Sequence, residues 1–417
     1  MDYTAYPRND VLCIDMRSFY ASVEAVKLGL DPMKALLAVV GDPNRSGSIV
    51  LAASPALKEK YGISNVSRFF ELPIHDPALI IVQAHMGDYI HVSVEITKLL
   101  MEYAPKEAIH PYSIDEIWVT VNGLEKLFGD PCQIARKIRA EILESFGITC
   151  SIGIGDNKFL AKVVMDLHAK KQGIAVCRYE DVSEKLWPAP IEKIWGIGNR
   201  MKKNLNRMGI ITLGQLAGSD LKYLKKRFGV MGEQLYWHAW GIDLSPVFGD
   251  FIKTEQKSFG HGMTLLRDYS ESEIGICILE LCEETCRRAR TAKQAGKTIH
   301  LGIGYSKESS GGFSRSRSII TPTNITMDMY EVCMQLFRTF YDGSSSIRRV
   351  YVTLGHLYDD DQTQLNLFED ISKRKNLGFV MDNIREKYGS TAILRASSYL
   401  PGGIAIDRSK KIGGHFA

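Results

Sequence analysis

Read from the amino terminus, the hydrophobic positions begin as a run, Val11-Leu12-Cys13-Ile14, that ends in Asp15 and predicts a buried strand. The next stretch, SFYASVEAVKLG, spaces its apolar residues as a helix does and stops at Gly29. Short apolar strands follow in DPMKALLAVVGDPNRSGSIVLAAS, around a turn-rich loop from Gly41 to Gly47. Ser54-Pro55 then supplies an N-cap and a first helical position. A long amphipathic helix is predicted from about Met86 to Tyr103, followed by a strand in SIDEIWVTV, a helix in CQIARKIRAEILESFG and a strand in TCSIGIG. The order β-α-β-α-β-β-α-β calls for a mixed sheet covered by helices.

After about Gly173 the pattern changes to short basic helices around IEKIWGIGNRMKKNLNRMGIITLGQLAG, and GIDLSPVFGDFIKTEQ reads as a connector. From Ser258 the pattern is strand, long helix (Glu271 to Gln294), strand, strand, helix (Met327 to Tyr341), strand. That βαββαβ order describes a separate, smaller α/β unit. Beyond Asp359 the chain turns acidic and then polar, as a loosely attached tail would.

Composition changes this picture little. The chain has 417 residues, 45% hydrophobic and 24% charged, which fits a soluble protein of two to four domains. No apolar run approaches the roughly eighteen residues a membrane span needs, and MDYTAYPRND is too polar for a secretory signal. The default expectation is a cytoplasmic protein. Eight cysteines occur without a CxxC pair, so they read as reduced, buried small side chains, neither a zinc site nor a disulfide framework. The net charge of +4 is unremarkable, but Lys185 to Asp243 holds ten Lys/Arg against four Asp/Glu. A nucleic-acid contact surface has that imbalance, and so does a merely solvated basic face.

Three sequence features carry chemistry. Asp15 ends one strand, and the adjacent Asp115 and Glu116 begin another. Successive strand residues face opposite ways, so both members of the pair address one site only at a hairpin bend. Alone, the pair reads as a turn ornament; facing inward, it needs a cation to stay ionised. Hard carboxylate oxygens without His or Cys select Mg²⁺ or Mn²⁺. Next, SIGIGDNKFLAKVVMDLHAKKQG runs from strand through a glycine-bearing turn into a helix with Lys158, Lys162 and Asp166 on one face and Lys170 a turn further. Such a stripe usually faces solvent; beside the carboxylates it would match a triphosphate. Third, Gly196-Ile197-Gly198 precedes Arg200, Lys202 and Lys203. Glycines let a phosphate approach the backbone, and the helix N-terminus offers free N–H groups, as in a helix-hairpin-helix.

CIDMRSFYASVE, YSIDE, SIGIGDNKFLAK and IWGIG stand in the order found in the Y-family translesion DNA polymerases. Residues 11 to about 358 most closely resemble the bacterial UmuC/UvrX-type branch. The resemblance implies an α/β right-hand polymerase: palm 9–28 and 78–172, small fingers 29–77, helix-hairpin-helix thumb 173–243, linker 244–252, little finger 253–358 and tail 359–417. It implies two-metal addition of deoxynucleotides to a primer 3′-hydroxyl in DNA damage tolerance, by a protein monomeric on its own, at the bacterial nucleoid. Asp15, Asp115 and Glu116 would be catalytic and, with the Met16 carbonyl, would hold two Mg²⁺ or Mn²⁺ ions. Tyr20 would be the steric gate and Phe19 its neighbour against the nucleotide. Lys170 would contact the dNTP triphosphate, with Lys171 the register alternative, since relatives often have one residue fewer before it. The fingers read ASPALKEKYG, without the family's aromatic, which leaves Lys58 as the cation. Gly196, Gly198 and Arg200, with Arg315, Arg317, Arg348 and Arg349 of the little finger, would contact primer-template DNA. Gln364, Leu365, Leu367 and Phe368 resemble a sliding-clamp-binding peptide. A non-catalytic DNA-binding scaffold would not need the three carboxylates, and a nucleotidyl cyclase would not need a helix-hairpin-helix.

Overall fold

Val11 to Ile14 are fully buried, and the strand they open, β1 (Val11–Met16), is the middle of a five-stranded sheet. The computed structural model describes residues 1–250, 256–306, 308–360 and 371–417. It divides into one unit of residues 1–253 with 415–417 and a second of residues 254–414.

In the first unit, α1 (Phe19–Lys27) follows β1 directly. Strands β2 (Leu37–Val40) and β3 (Val50–Ala53), helix α2 (Pro55–Tyr61) and β4 (Ile80–Gln83) then build a small subdomain with sheet order β3-β2-β4. Ser54 caps α2 as its sequence signal requires: its Oγ accepts from Leu57 N at 3.3 Å and donates to Ala35 O at 2.6 Å. Helix α3 (Met86–Leu100) returns the chain to the main sheet. Strands β5 (Ile109–Pro111) and β6 (Glu116–Thr120), helix α4 (Pro131–Phe146), β7 (Cys150–Gly155), helix α5 (Lys158–Val164) and β8 (Ile174–Cys177) complete it. The order is β5-β6-β1-β7-β8, so this sheet runs past the boundary expected at Gly173.

Strand alternation gives the sheet two buried faces. Leu12, Ile14, Ile117, Val119, Ile152 and Ile154 pack with α3 and α4, whereas Val11, Cys13 and Trp118 pack with Phe159, Leu160, Val163 and Val164 of α5. Short helices follow β8, among them α6 (Asn199–Asn206). Trp187 Nε1 donates to Ala239 O and Trp240 Nε1 to Ala217 O, tying these helices together.

The second unit has the expected βαββαβ order: β9 (Ser258–Tyr269), α7 (Glu271–Thr291), β10 (Gln294–Tyr305), β11 (Gly312–Thr323), α8 (Thr326–Phe340) and β12 (Ile347–Asp359). Its antiparallel sheet, β11-β10-β12-β9, carries both helices on one face. The later part of the tail is not loosely attached. Helix α9 (Ile371–Tyr388) places Asp382 against the nearly inaccessible Arg290 of α7, Nε to Oδ2 2.6 Å. Arg385 pairs with Glu283, Ile404 N donates to Glu280 Oε2, and the Ile404 side chain enters the core. Buried charges on α7 need partners, and the tail supplies them. All eight cysteines are free thiols, with Cys132 the least buried. No helix among the described residues is long and apolar enough to cross a membrane.

Candidate active site

The carboxylate pair sits at a hairpin bend, the one place where both members can address a single site. Tyr112 N and Ser113 N both donate to Glu116 O, closing the turn between β5 and β6. Glu116 is the register partner of Asp15, and Met16 N donates to Asp115 O at 2.9 Å. Asp15 is therefore flanked by both. Ser113 Oγ donates to Asp115 Oδ1 at 2.6 Å. Glu116 is buried; its Oε1 accepts from Cys13 Sγ and its Oε2 from Lys162 Nζ at 2.8 Å.

The lysine stripe does not face solvent: Lys158 is 6% and Lys162 7% exposed. Glycines in β7 permit this. A Cβ on Gly153 would lie 2.1 Å from Ala161 O, and one on Gly155 2.5 Å from Ala161 N, so α5 rests directly on the strand. Asn157 caps the helix through Leu160 N at 2.9 Å. Lys162 bridges Glu116 and Asp166, and Lys170 Nζ lies 2.7 Å from Asp166 Oδ1. Burial opposes the charge of Lys162, but its bond to Glu116 holds it above the ordinary lysine range. Lys158 Nζ stands 2.9 Å from His110 Nδ1; burial pushes Lys158 down to about 8 and His110 down to about 4.

Burial pushes Asp15 up to about 6, against the pull of Lys170 and Lys162, and the charges of Asp115 and Glu116 add to the rise. The Lys162 ammonium already supplies a positive charge beside Glu116. This hard-oxygen donor set suits a divalent cation, which would keep Asp15 ionised. The three side chains share one region without closing on a single point among the described residues.

Tyr20, half-buried, stacks on Tyr89 at 4.4 Å between ring centroids. Burial raises its pKa and the charge of Asp115 adds to the rise, so its hydroxyl lies within electrostatic reach of Asp115. Phe19 departs from expectation: it is 3% exposed and its ring belongs to the core, so it anchors α1 instead of presenting a surface to a ligand. Lys58 reaches the start of α1, its Nζ 3.0 Å from Ser18 Oγ. Burial and the charge of Lys170 lower its pKa, and Asp15 opposes them, so Lys58, Lys170 and Asp15 are neighbours. Lys170 and Lys171 are both exposed, and it is Lys170 whose Nζ bonds to Asp166 and whose charge acts on Asp15.

The support beneath Tyr20 leaves no signal in the sequence. Tyr89 is fully buried, and its hydroxyl donates to Glu24 Oε1 at 2.8 Å; Glu24 also meets His85 and Lys27. In sequence Tyr89 is one more apolar position of an amphipathic helix, and only the stacking reveals its place.

In the basic segment, Gly196 has φ +89° and Gly198 caps α6 without a side-chain hydrogen bond. A Cβ at either would meet nothing within 4 Å, and Arg200 beside them is exposed. The loop is open to a phosphate. The four arginines of the second unit do not share one face. Arg315 and Arg317 pair across the ladder with the core residues Leu301 and Ile299, so alternation sends them to the helix side. There Arg315 lies over the Phe340 ring and Arg317 bonds to Gln335. Arg348 pairs with Asp268 at 3.1 Å, and Arg349 lies beside Gly304 on the helix-free face. Gln364, Leu365, Leu367 and Phe368 lie outside the described residues.

Comparison with known proteins identifies the family. Residues 14–166 match the impB/mucB/samB family, residues 179–210 the helix-hairpin-helix motif of that family and residues 256–367 its C-terminal domain. The chain is 53% identical to UvrX of Bacillus subtilis (strain 168), described as a candidate UV-damage repair protein, over 100% of this chain and 99% of that one. It is 43% identical to DNA polymerase IV 2 of the same organism, over 97% and 98%. A Y-family DNA polymerase chimera, Dbh-Dpo4(243-245)-Dbh, superposes with a TM-score of 0.67 at 25% identity, covering 83% of this chain and 98% of that one. The chain belongs to the impB/mucB/samB family, the bacterial Y-family translesion DNA polymerases.

Proposed function

We propose that Asp15, Asp115 and Glu116, with the Met16 carbonyl, hold two Mg²⁺ ions, for which Mn²⁺ can substitute, while a primer 3′-hydroxyl is extended opposite a template. The observation carrying this reading is the opposition of Asp15 and Glu116 across the β1/β6 ladder, with Asp115 adjacent and Lys162 and Lys170 beside them. The ions would acidify the attacking hydroxyl and neutralise charge on the leaving pyrophosphate. Lys162 holds Glu116 in place. Lys170 and Lys58 meet the dNTP triphosphate, and Tyr20, braced by Tyr89, closes the space below C2′. The Gly196–Gly198 loop with Arg200 receives a DNA phosphate, and Arg349 adds a charge on the helix-free face of the second unit. Gln364, Leu365, Leu367 and Phe368 bind a sliding clamp, the last three through their apolar side chains. The chain acts as a monomer at the bacterial nucleoid.

Primer extension with Mg²⁺ tests the core of this reading. Asp115 is partly exposed and bonded only locally, so Asp115→Ala leaves the fold and primer-template affinity intact. Insertion should fall about a thousandfold or more, the several kcal/mol a metal site supplies. Near wild-type insertion by this variant would overturn the assignment.

A further inference from the structure

The helix that begins at Lys158 changes its winding on the way to Lys170. Residues Lys158–Val164 are α-helical, Met165–Ala169 form a π-turn and Lys170–Gln172 are again α-helical. Lys170 N–H reaches Met165 O, five residues back, and Gly173 N restores the shorter spacing with Ala169 O at 2.7 Å. A π-turn is one residue inserted into an α-helix, and such turns collect at functional sites.

Its effect follows from helix geometry. An α-helix advances about 100° per residue, so without the insertion Lys170 would point about 80° away from Lys162. One extra residue sets everything after it back by about 100°, leaving Lys170 within about 20° of Lys162. The same step moves Ala169 from the lysine face to a direction between Val164 and Ala161. His168, in the turn, is half-buried and bonds through Nε2 to Lys185 O at 3.1 Å.

We propose that the Met165–Ala169 π-turn is a positioning device that brings Lys170, in place of Ala169, onto the face carrying Lys162 and hence to the incoming nucleotide's triphosphate. This rests on the reading of Lys170 as a phosphate ligand. A straight helix one residue shorter would present the same lysine in the same direction, whereas one residue more would turn it away.

Four variants of the full chain, assayed for single-nucleotide insertion on primer-template DNA with Mg²⁺, separate the two ideas. Lys170→Ala should raise the KM for dNTP roughly tenfold or more, as loss of a charged hydrogen bond does. Deleting His168 should leave that KM within about twofold, because the phase is kept. Inserting one alanine between Leu167 and His168 should raise KM by the same factor as Lys170→Ala, with no further rise when the two are combined. A deletion variant that behaves like Lys170→Ala, or that fails to fold, overturns the positioning role, as does an insertion variant with wild-type KM. An unchanged KM in Lys170→Ala would instead remove the phosphate role of Lys170 itself.

Discussion

Gly153→Ala should damage both stability and chemistry, because it forces α5 off the sheet. The added Cβ would lie 2.1 Å from Ala161 O, 2.6 Å from Met165 Cβ and 2.7 Å from Met165 N. Two of these are backbone atoms of the helix and cannot swing aside. Gly153 is not at positive φ, so alanine itself is unstrained and the effect is purely steric. Restoring a tolerable contact of about 3.2 Å requires the helix to rise by about 1 Å. Overpacking of this kind costs about 3 kcal/mol, at the upper end of its usual range, against well under 1 kcal/mol gained from a stiffer unfolded chain. For a unit of this size that lowers Tm by roughly 6–12 °C. Moving the helix also stretches the 2.8 Å Lys162–Glu116 contact to about 3.8 Å, beyond hydrogen-bonding range, so insertion should slow even below Tm. Thermal melting and single-turnover insertion measure the two effects. Gly47→Ala, where a Cβ meets nothing within 4 Å, is the control. Equal Tm and equal insertion rates for the two variants would refute the argument.

Other expectations concern separate parts of the chain. Tyr20→Ala should raise ribonucleotide relative to deoxyribonucleotide insertion by at least about tenfold, read from matched single-turnover pairs; an unchanged ratio would place the gate elsewhere. Asp382→Ala strands the buried guanidinium of Arg290 and should cost about 3–5 kcal/mol in a denaturant melt of the second unit, whereas a loss below about 1 kcal/mol would mean that the tail contributes little. Replacing Gln364, Leu365, Leu367 and Phe368 with alanine should leave short-primer extension unchanged and abolish stimulation by a loaded clamp. Undiminished stimulation would exclude the motif as the tether, and loss of basal extension would mean these residues serve the fold.

Much of this protein is legible in its sequence, because local chemistry decides it. An apolar run ending in Asp15, a serine-proline helix start at Ser54 and a βαββαβ alternation each depend on near neighbours, and each is found where the pattern puts it. The hairpin at Asp115-Glu116 follows from the same alternation rule. What tertiary structure alone decides is direction and partnership. Whether a lysine stripe is solvated or buried depends on what packs over it, and Gly153 and Gly155 bring α5 close enough to bury Lys158 and Lys162. Arg315 and Arg317 share a face as their spacing requires, but the face was settled by the β10 register, which opposes them to Ile299 and Leu301. Phe19 and Tyr20 are adjacent aromatics, one in the core and one stacked beside the site, because α1 turns them about 100° apart. The tail reads as polar, and it docks because α7 buries Arg290 and Glu283, charges that only a distant segment can satisfy.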